Sequence, residues 1–281
     1  MQHFSIEKSL ASLLFLFLGM LGIHAQDGSA VDFVTVRGRM YQYALDYQGG
    51  ENTSVPTLLS KLNNNGSWTD RSASKWILDN RLLFMAKAYN EDPVYAGSTV
   101  LKDGFYSALN YWLDNHAELS GWKTLEVDAP RSAAYIALLM FEPFMSDLND
   151  PAKAAYMNML LTKINDFIRE AWPDAVSFSR ADIVLGANMA FRLFPLQALF
   201  AIEEDNNKMN QLLDFVRGTF EVGKGYDGQG FSGYSHVGLT PDGSWHQHNF
   251  DGGQNYWLSY GGSWMQWTTR YGRFAKGTAW Q

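Results

Sequence analysis

Residues 71–90 read RSASKWILDNRLLFMAKAYN, and the apolar side chains in that stretch recur at helical spacing: Trp76, Leu83 and Ala86, with Leu82 and Met85, fall on one stripe. Residues 102–116, KDGFYSALNYWLDNH, repeat the pattern with Phe105, Leu109, Trp112 and Leu113. Both stretches predict amphipathic helices that bury one face. Working outward, short polar clusters at 52–54, 63–67, 90–93, 120–121, 149–151, 172–174 and 205–207 supply the Asn, Ser, Asp, Gly and Pro residues that cap and stop helices. About eight helices joined by short connections are expected before Phe220. No alternating strand pattern occurs before Glu221, so the fold class expected is all-α, an array of antiparallel helix pairs.

The texture changes after Phe220. Residues 221–245, EVGKGYDGQGFSGYSHVGLTPDGSW, are too polar and glycine-rich for a helix and too aromatic for a disordered linker. A connection of that length inside a compact domain is usually functional. A last helix is expected over 255–274. Between them, residues 241–262 combine aromatic rings with His246, Gln247, His248, Asn249 and Asp251. A buried segment would have to find partners for each of those polar groups. The combination fits a cleft wall, where rings meet a flat polar ligand.

Composition bounds the function. The chain has 281 residues, is 46% hydrophobic and 18% charged, and so can bury a large core. Aromatic residues make up 15%, which suits stacking against sugars. There is no cysteine, which excludes disulfides, thiol nucleophiles and zinc–thiolate sites. A net charge of −7 argues against a nucleic-acid partner. Residues 1–25 carry Lys8, an apolar run from Leu10 to Ile23, and Ala25 at the end, the pattern of a secretory signal peptide. The run is shorter than the roughly 20 residues of a membrane span. The mature chain, 26–281, is expected to be secreted or periplasmic, monomeric and without a membrane anchor.

Three stretches carry the candidate chemistry: GWKTLEVDAPRSAAYIALLM (121–140), IVLGANMAFRLF (183–194) and DGSWHQHNFDGGQNYWLSYGG (242–262). In this order they resemble the N-terminal helical toroid of polysaccharide lyase family eight, which includes chondroitin, hyaluronan and xanthan lyases. Trp122, Glu126 and Pro130 match a tryptophan-bearing turn that precedes a helix. Gly186-Ala187-Asn188, Gln247-His248 and Tyr260-Gly261 match three further elements. The resemblance covers most of the mature chain and implies an α/α toroid with a long aromatic- and glycine-rich loop before its last helix.

The chemistry that the resemblance implies is β-elimination of a 4-linked uronic acid in an acidic polysaccharide. The proton at C5 lies next to an ionised carboxylate, so that carboxylate's charge has to be offset before the proton can leave. The resemblance assigns this to Asn188 and His248, and makes a tyrosine the base that takes the proton and the acid that returns one to the leaving oxygen. Tyr260 carries the following glycine, whereas Tyr256 lies nearer His248; Tyr260 is assigned the role. It lies twelve positions after His248, and residues 250–255 look like the place of an insertion. Trp122, Lys123, Gln247, Tyr256 and Trp245 are the expected substrate-binding residues, with Lys123 standing where many family members have a second aromatic ring. No cofactor or metal is expected, because His246 and His248 alone make poor ligands.

Bland readings stand beside these. Asn188 could cap a helical turn, His246 and His248 could be an exposed pair, and Trp122 could belong to the core. An α/α-barrel glycoside hydrolase would instead need two carboxylates from Glu126, Asp227, Asp242 and Asp251, none of which has a recognisable partner. A non-catalytic polysaccharide-binding fragment is a third reading. Family members also continue into β-sandwich domains, with an arginine motif beyond the last helix. On that basis the sequence is expected to give an incomplete toroid lacking its C-terminal β domains, a truncated product of weak or no activity.

Overall fold

The computed structural model describes residues 27–48, 53–70, 75–116, 119, 123–170, 189–218, 220, 238–239, 245–246 and 260–281. For 75–79, 126, 170, 218, 238–239 and 245–246 it describes the backbone alone. The expected leader, residues 1–25, lies outside this set.

The first helix, α1 (Ala30–Asp46), begins with a capping box: Ser29 Oγ accepts from the Asp32 amide, and the Asp32 carboxylate accepts from the Ser29 amide. Its buried residues Phe33, Val36, Met40 and Ala44 keep helical spacing. A short α2 (Val55–Ser60) follows, capped by Ser54. Next come α3 (Lys75–Glu91) and α4 (Thr99–Asn115), the two helices anticipated from periodicity. Leu82, Leu83, Met85 and Ala86 of α3 are buried, as are Phe105, Leu109, Trp112 and Leu113 of α4. A π-helical turn (Thr124–Asp128) leads into α5 (Ala129–Leu139), with Pro130 in its first turn, where a missing N–H costs nothing. Then come α6 (Phe141–Leu148), α7 (Ala154–Glu170), α8 (Leu193–Glu203), α9 (Asn206–Gly218) and α10 (Gly262–Ala275).

Two helices are apolar all round and occupy the centre. In α5 every residue except Arg131 and Ser132 is buried, and in α8 all from Leu193 to Ala201 are. Helix α5 packs on α1, α3, α7 and α8, while α8 also packs on α9 and α10. The outer helices α4 and α7 lie against α3 and α5 and against each other. The architecture is thus all-α around a helical core, as the sequence predicts.

Arginines fasten α1 to its neighbours. Arg37 donates to the Ala201 carbonyl at 2.7 Å and pairs with Glu204 at 2.9 Å, closing the end of α8. Arg39 donates to the carbonyls of Phe274 and Lys276 at the end of α10. Both use the unpaired carbonyls that every helix C-terminus presents. Residues Gly238–Leu239 and Trp245–His246, in the stretch expected to be a long loop, form a two-residue antiparallel pair, with Gly238 opposite His246 and Leu239 opposite Trp245. The last helix, expected over 255–274, is described from Tyr260 onward. Its regular part starts at Gly262 after a π turn at Tyr260-Gly261, while residues 255–259 lie outside the described set.

Candidate active site

The site is built from the wall that α10 presents to α1, α5 and α8. Trp264 and Trp267 are buried, so the Trp-rich face of α10 turns inward. The guanidinium of Arg270 lies over the Trp267 ring, 4.5 Å from its centroid, and 5.2 Å from the centroid of Tyr43 on α1. From α5, Arg131 approaches the same tryptophan at 5.8 Å. Two cations therefore flank one indole, an arrangement in which ring quadrupoles hold the guanidiniums in place.

Arg131 is fixed a second way, by an ion pair of 2.9 Å with Asp128. Asp128 ends the π turn and is buried, so the turn and the first coil of α5 are locked together. Behind this wall, Tyr43 packs on Tyr135, Phe194 and Phe274 with centroid distances of 6.2, 5.7 and 5.4 Å. Tyr47 stacks on Tyr135 at 4.8 Å. The rings of α1, α5, α8 and α10 form one continuous aromatic layer.

The structure separates the tyrosines of this region by environment. Burial, reinforced by neighbouring Tyr43, pushes the Tyr135 phenol far above its ordinary pKa. Burial does the same to Tyr271, whose hydroxyl lies 3.4 Å from the Trp280 carbonyl. Neither phenol can readily give up its proton. Tyr260 is half-buried, packs against the edge of the core, and occupies the π turn that opens α10. Gly261, directly after it, is the N-cap residue with φ −62°, so the glycine is not needed there for a left-handed backbone.

Of the residues singled out by sequence, Tyr260 is half-buried at the head of α10, and Lys123 is exposed at the start of the π turn. Trp245 is placed by its backbone in the short antiparallel pair, beside His246. Asn188, His248, Trp122, Gln247 and Tyr256 lie outside the described residues, as do Asp227, Asp242 and Asp251. Of Glu126 only the backbone is described, within the π turn. Met189 and Ala190, immediately after Asn188, are helical and buried, and Arg192 is buried close by. Among the described residues, no group of three or more His, Asp or Glu side chains could hold a metal ion. No helix among them is long and apolar enough to cross a membrane.

The paired arginines on Trp267 escape a reading of motifs. One signal was available for Arg270: it follows Trp267 by three residues, which places the two on one helical face. Arg131 gave none, because its approach to Trp267 joins residues far apart in the sequence.

No family model and no curated protein sequence matches the chain. Solved structures of lyases do share its fold. One is a chondroitinase AC lyase studied as enzyme–oligosaccharide complexes, with a TM-score of 0.61 at 19% identity over 89% of this chain and 34% of that one. A second is the Streptomyces coelicolor A3 chondroitin AC lyase in complex with chondroitin sulphate, with a TM-score of 0.63 at 16% identity, covering 89% and 33%. A third is a Paenibacillus xanthan lyase, with a TM-score of 0.58 at 18% identity, covering 89% and 24%. This chain thus spans about a third of the length of those two chondroitin lyases. At these identities the likeness is one of fold: the described residues form an all-α array, with one two-residue antiparallel pair beside it, that corresponds to the helical toroid domain of those lyases.

Proposed function

We propose that this chain is the helical part of a polysaccharide lyase that breaks 4-linked uronic-acid-containing chains, of the chondroitin, hyaluronan or xanthan type, by β-elimination. The observation that supports this best is Tyr260, half-buried at the head of α10, where α10 carries a wall of rings and guanidiniums on a lyase-like toroid. Tyr260 is the base. It removes the C5 proton, the electron pair forms the C4–C5 double bond, the C4–O bond breaks, and the tyrosine returns a proton to the departing oxygen. Asn188 and His248 donate to the uronate carboxylate, so the charge that builds up on C5 spreads onto an already neutralised group. Trp122, Trp245, Tyr256, Gln247 and Lys123 hold the chain, the rings by stacking and the polar groups by hydrogen bonds.

Arg270 extends this reading. Among the described residues it forms no ion pair, so its charge remains available on the wall to attract a polyanion. A locally positive wall in a chain of net charge −7 would steer an acidic polysaccharide to this face. Secretion or export to the periplasm, with the first 25 residues as leader, belongs to the same proposal.

The test is the product. Elimination consumes no water and leaves an unsaturated uronate that absorbs in the ultraviolet, whereas hydrolysis leaves a new reducing end and no double bond. Prolonged incubation at high protein concentration with chondroitin, hyaluronan and xanthan should raise the absorbance slowly with at least one of them, as a weakly active helical part would. New reducing ends without absorbance would reject elimination in favour of hydrolysis.

A further inference from the structure

A cavity of about 530 Å³ opens between α4, α6, the start of α7 and the turn after α2. None of those elements carries a residue of the candidate active site. Its walls include Asn64, Asn65, Asp103, Ser107, Lys153 and Tyr156. We infer that this cavity is a second carbohydrate site, one that takes a neutral, hydroxyl-rich sugar rather than an acidic one. The inference does not rest on the elimination chemistry proposed above.

The rim of the cavity is held in shape. The turn at 63–67 is closed by the Asn63 amide donating to the Ser67 carbonyl at 2.8 Å and the Gly66 amide donating to the Asn63 carbonyl at 2.9 Å. Gly66 has φ +87°, and a Cβ there would lie 2.1 Å from the Ser107 carbonyl oxygen. The turn is therefore seated directly on α4, and only glycine allows that approach. Asn65 Oδ1 accepts from the amide and hydroxyl of Ser67, so the group it can offer to the cavity is its amide N–H pair. A rim fixed before binding spares a ligand the cost of ordering it.

The chemistry of the lining selects the ligand. Tyr156 is 40% exposed and its hydroxyl lies 3.3 Å from the Tyr106 carbonyl, which orients the ring as a platform. The carboxylate of exposed Asp103 can accept from two neighbouring hydroxyls at once, and the carboxamide of Asn64 can both donate and accept. Charge excludes an anion. Asp147 engages Lys102 at 2.6 Å and Lys153 at 2.9 Å, and Asp150 stands 3.8 Å from Lys153. Lys163, on the same side of α7, pairs with Asp114. Each ammonium near the cavity already faces a carboxylate, while Asp103 adds a negative charge to the lining. A uronate or sulfate would meet repulsion there, and a neutral hexose would not. The volume is within the range of small-ligand sites and holds one or two sugar rings.

Calorimetric titration tests this with cellotetraose, a linear chain of neutral hexoses, and with an unsulfated chondroitin tetrasaccharide as the acidic counterpart. The expected result is saturable cellotetraose binding that weakens at least about tenfold in Tyr156→Ala and in Asp103→Ala. The acidic tetrasaccharide should bind no differently to these variants than to the parent chain. Asp103 is exposed, so Asp103→Ala decides the matter even if Tyr156→Ala impairs folding. Three results would overturn the inference: no saturable cellotetraose binding up to about 10 mM, binding that neither substitution changes, or acidic-chain binding that both substitutions abolish. Ultraviolet absorbance on acidic polymers is read separately, so failure here and failure of the elimination reading are distinct outcomes.

Discussion

Arg270 places its guanidinium 4.5 Å from the centre of the Trp267 ring, one turn earlier on the same helix, and Arg131 approaches that ring at 5.8 Å from α5. The indole is shared between the packing of α10 and the charge of the wall, so the two roles separate by mutation. Trp267 is only 6% exposed, and Trp267→Ala should cost about 3–5 kcal/mol of stability, read as a lower denaturant midpoint. Arg270→Ala should leave the midpoint nearly unchanged and weaken binding of an acidic polysaccharide by about three- to tenfold at low salt. The loss should shrink as ionic strength rises. An Arg270→Ala variant that binds as tightly as the parent at low salt would remove Arg270 from the substrate wall.

The assignment of the base separates two neighbours in sequence. Tyr260→Phe deletes only a hydroxyl at a half-buried position and should abolish formation of the unsaturated product, by about 10²-fold or more. Thermal stability should be retained. Tyr256→Phe should lower turnover far less, because a binding residue keeps its ring. The reverse ranking would move the base to Tyr256.

Helix content was legible in the sequence because burial follows period. Leu82, Leu83, Met85 and Ala86 lie inside as the spacing demands, and the same holds for Phe105, Leu109 and Trp112. One cap was legible too, since Ser54 of the 52–54 cluster accepts from the Thr57 amide, whereas Ser29 and Ser98, which cap α1 and α4, fall outside the clusters that the sequence marks. The π turn ahead of the regular part of α10 was not legible. The π turn at Tyr260-Gly261 lies within a run of glycine, serine and aromatic residues that gives no periodic signal. Of the candidate site, sequence singled out Tyr260 and Lys123 but could not show that Arg131 and Arg270 meet on Trp267. That meeting is long-range packing, set by how α5 docks beside α10, and no local pattern encodes it.

Acid stability follows from Asp147. Burial works against its ionisation, but hydrogen bonds from Lys102, Lys153 and Tyr106 outweigh that, and its pKa falls below the ordinary value. Asp70 is lowered as well, by hydrogen bonds from Arg81 and Lys61. A carboxylate with a folded-state pKa below its unfolded value, near 3.9, leaves the folded state holding fewer protons. The stability from both groups is therefore full above about pH 4 and is lost as the pH falls further. Asp147→Asn should be less stable than the parent at pH 7, and the difference should narrow below about pH 4. Urea midpoints measured between about pH 3 and 7 would show this. A constant gap over that range would mean that Asp147 is not held ionised by its lysines.

The turn on α4 supplies the last prediction. Gly66 carries two constraints at once, a left-handed backbone at φ +87° and an approach to α4 so close that an added Cβ would lie 2.1 Å from the Ser107 carbonyl oxygen. The oxygen belongs to the backbone of α4 and cannot swing aside as a side chain would, so the turn itself must lift. Gly66→Ala should therefore cost about 1–3 kcal/mol, more than the change in unfolded-chain entropy would return. The strain should also propagate to the ends of the turn. Trp68 is buried there, its indole donating to the Leu58 carbonyl at 3.1 Å, and Arg81 lies over its ring at 5.2 Å while pairing with Asp70. Lifting the turn pulls on that anchor and tilts Asn64 and Asn65 away from the cavity. Cellotetraose binding should then fall together with stability, whereas elimination, proposed for residues outside α4 and this turn, should persist at temperatures below the lowered midpoint. A Gly66→Ala protein with unchanged stability would show that the turn is not seated on α4 as closely as the geometry requires.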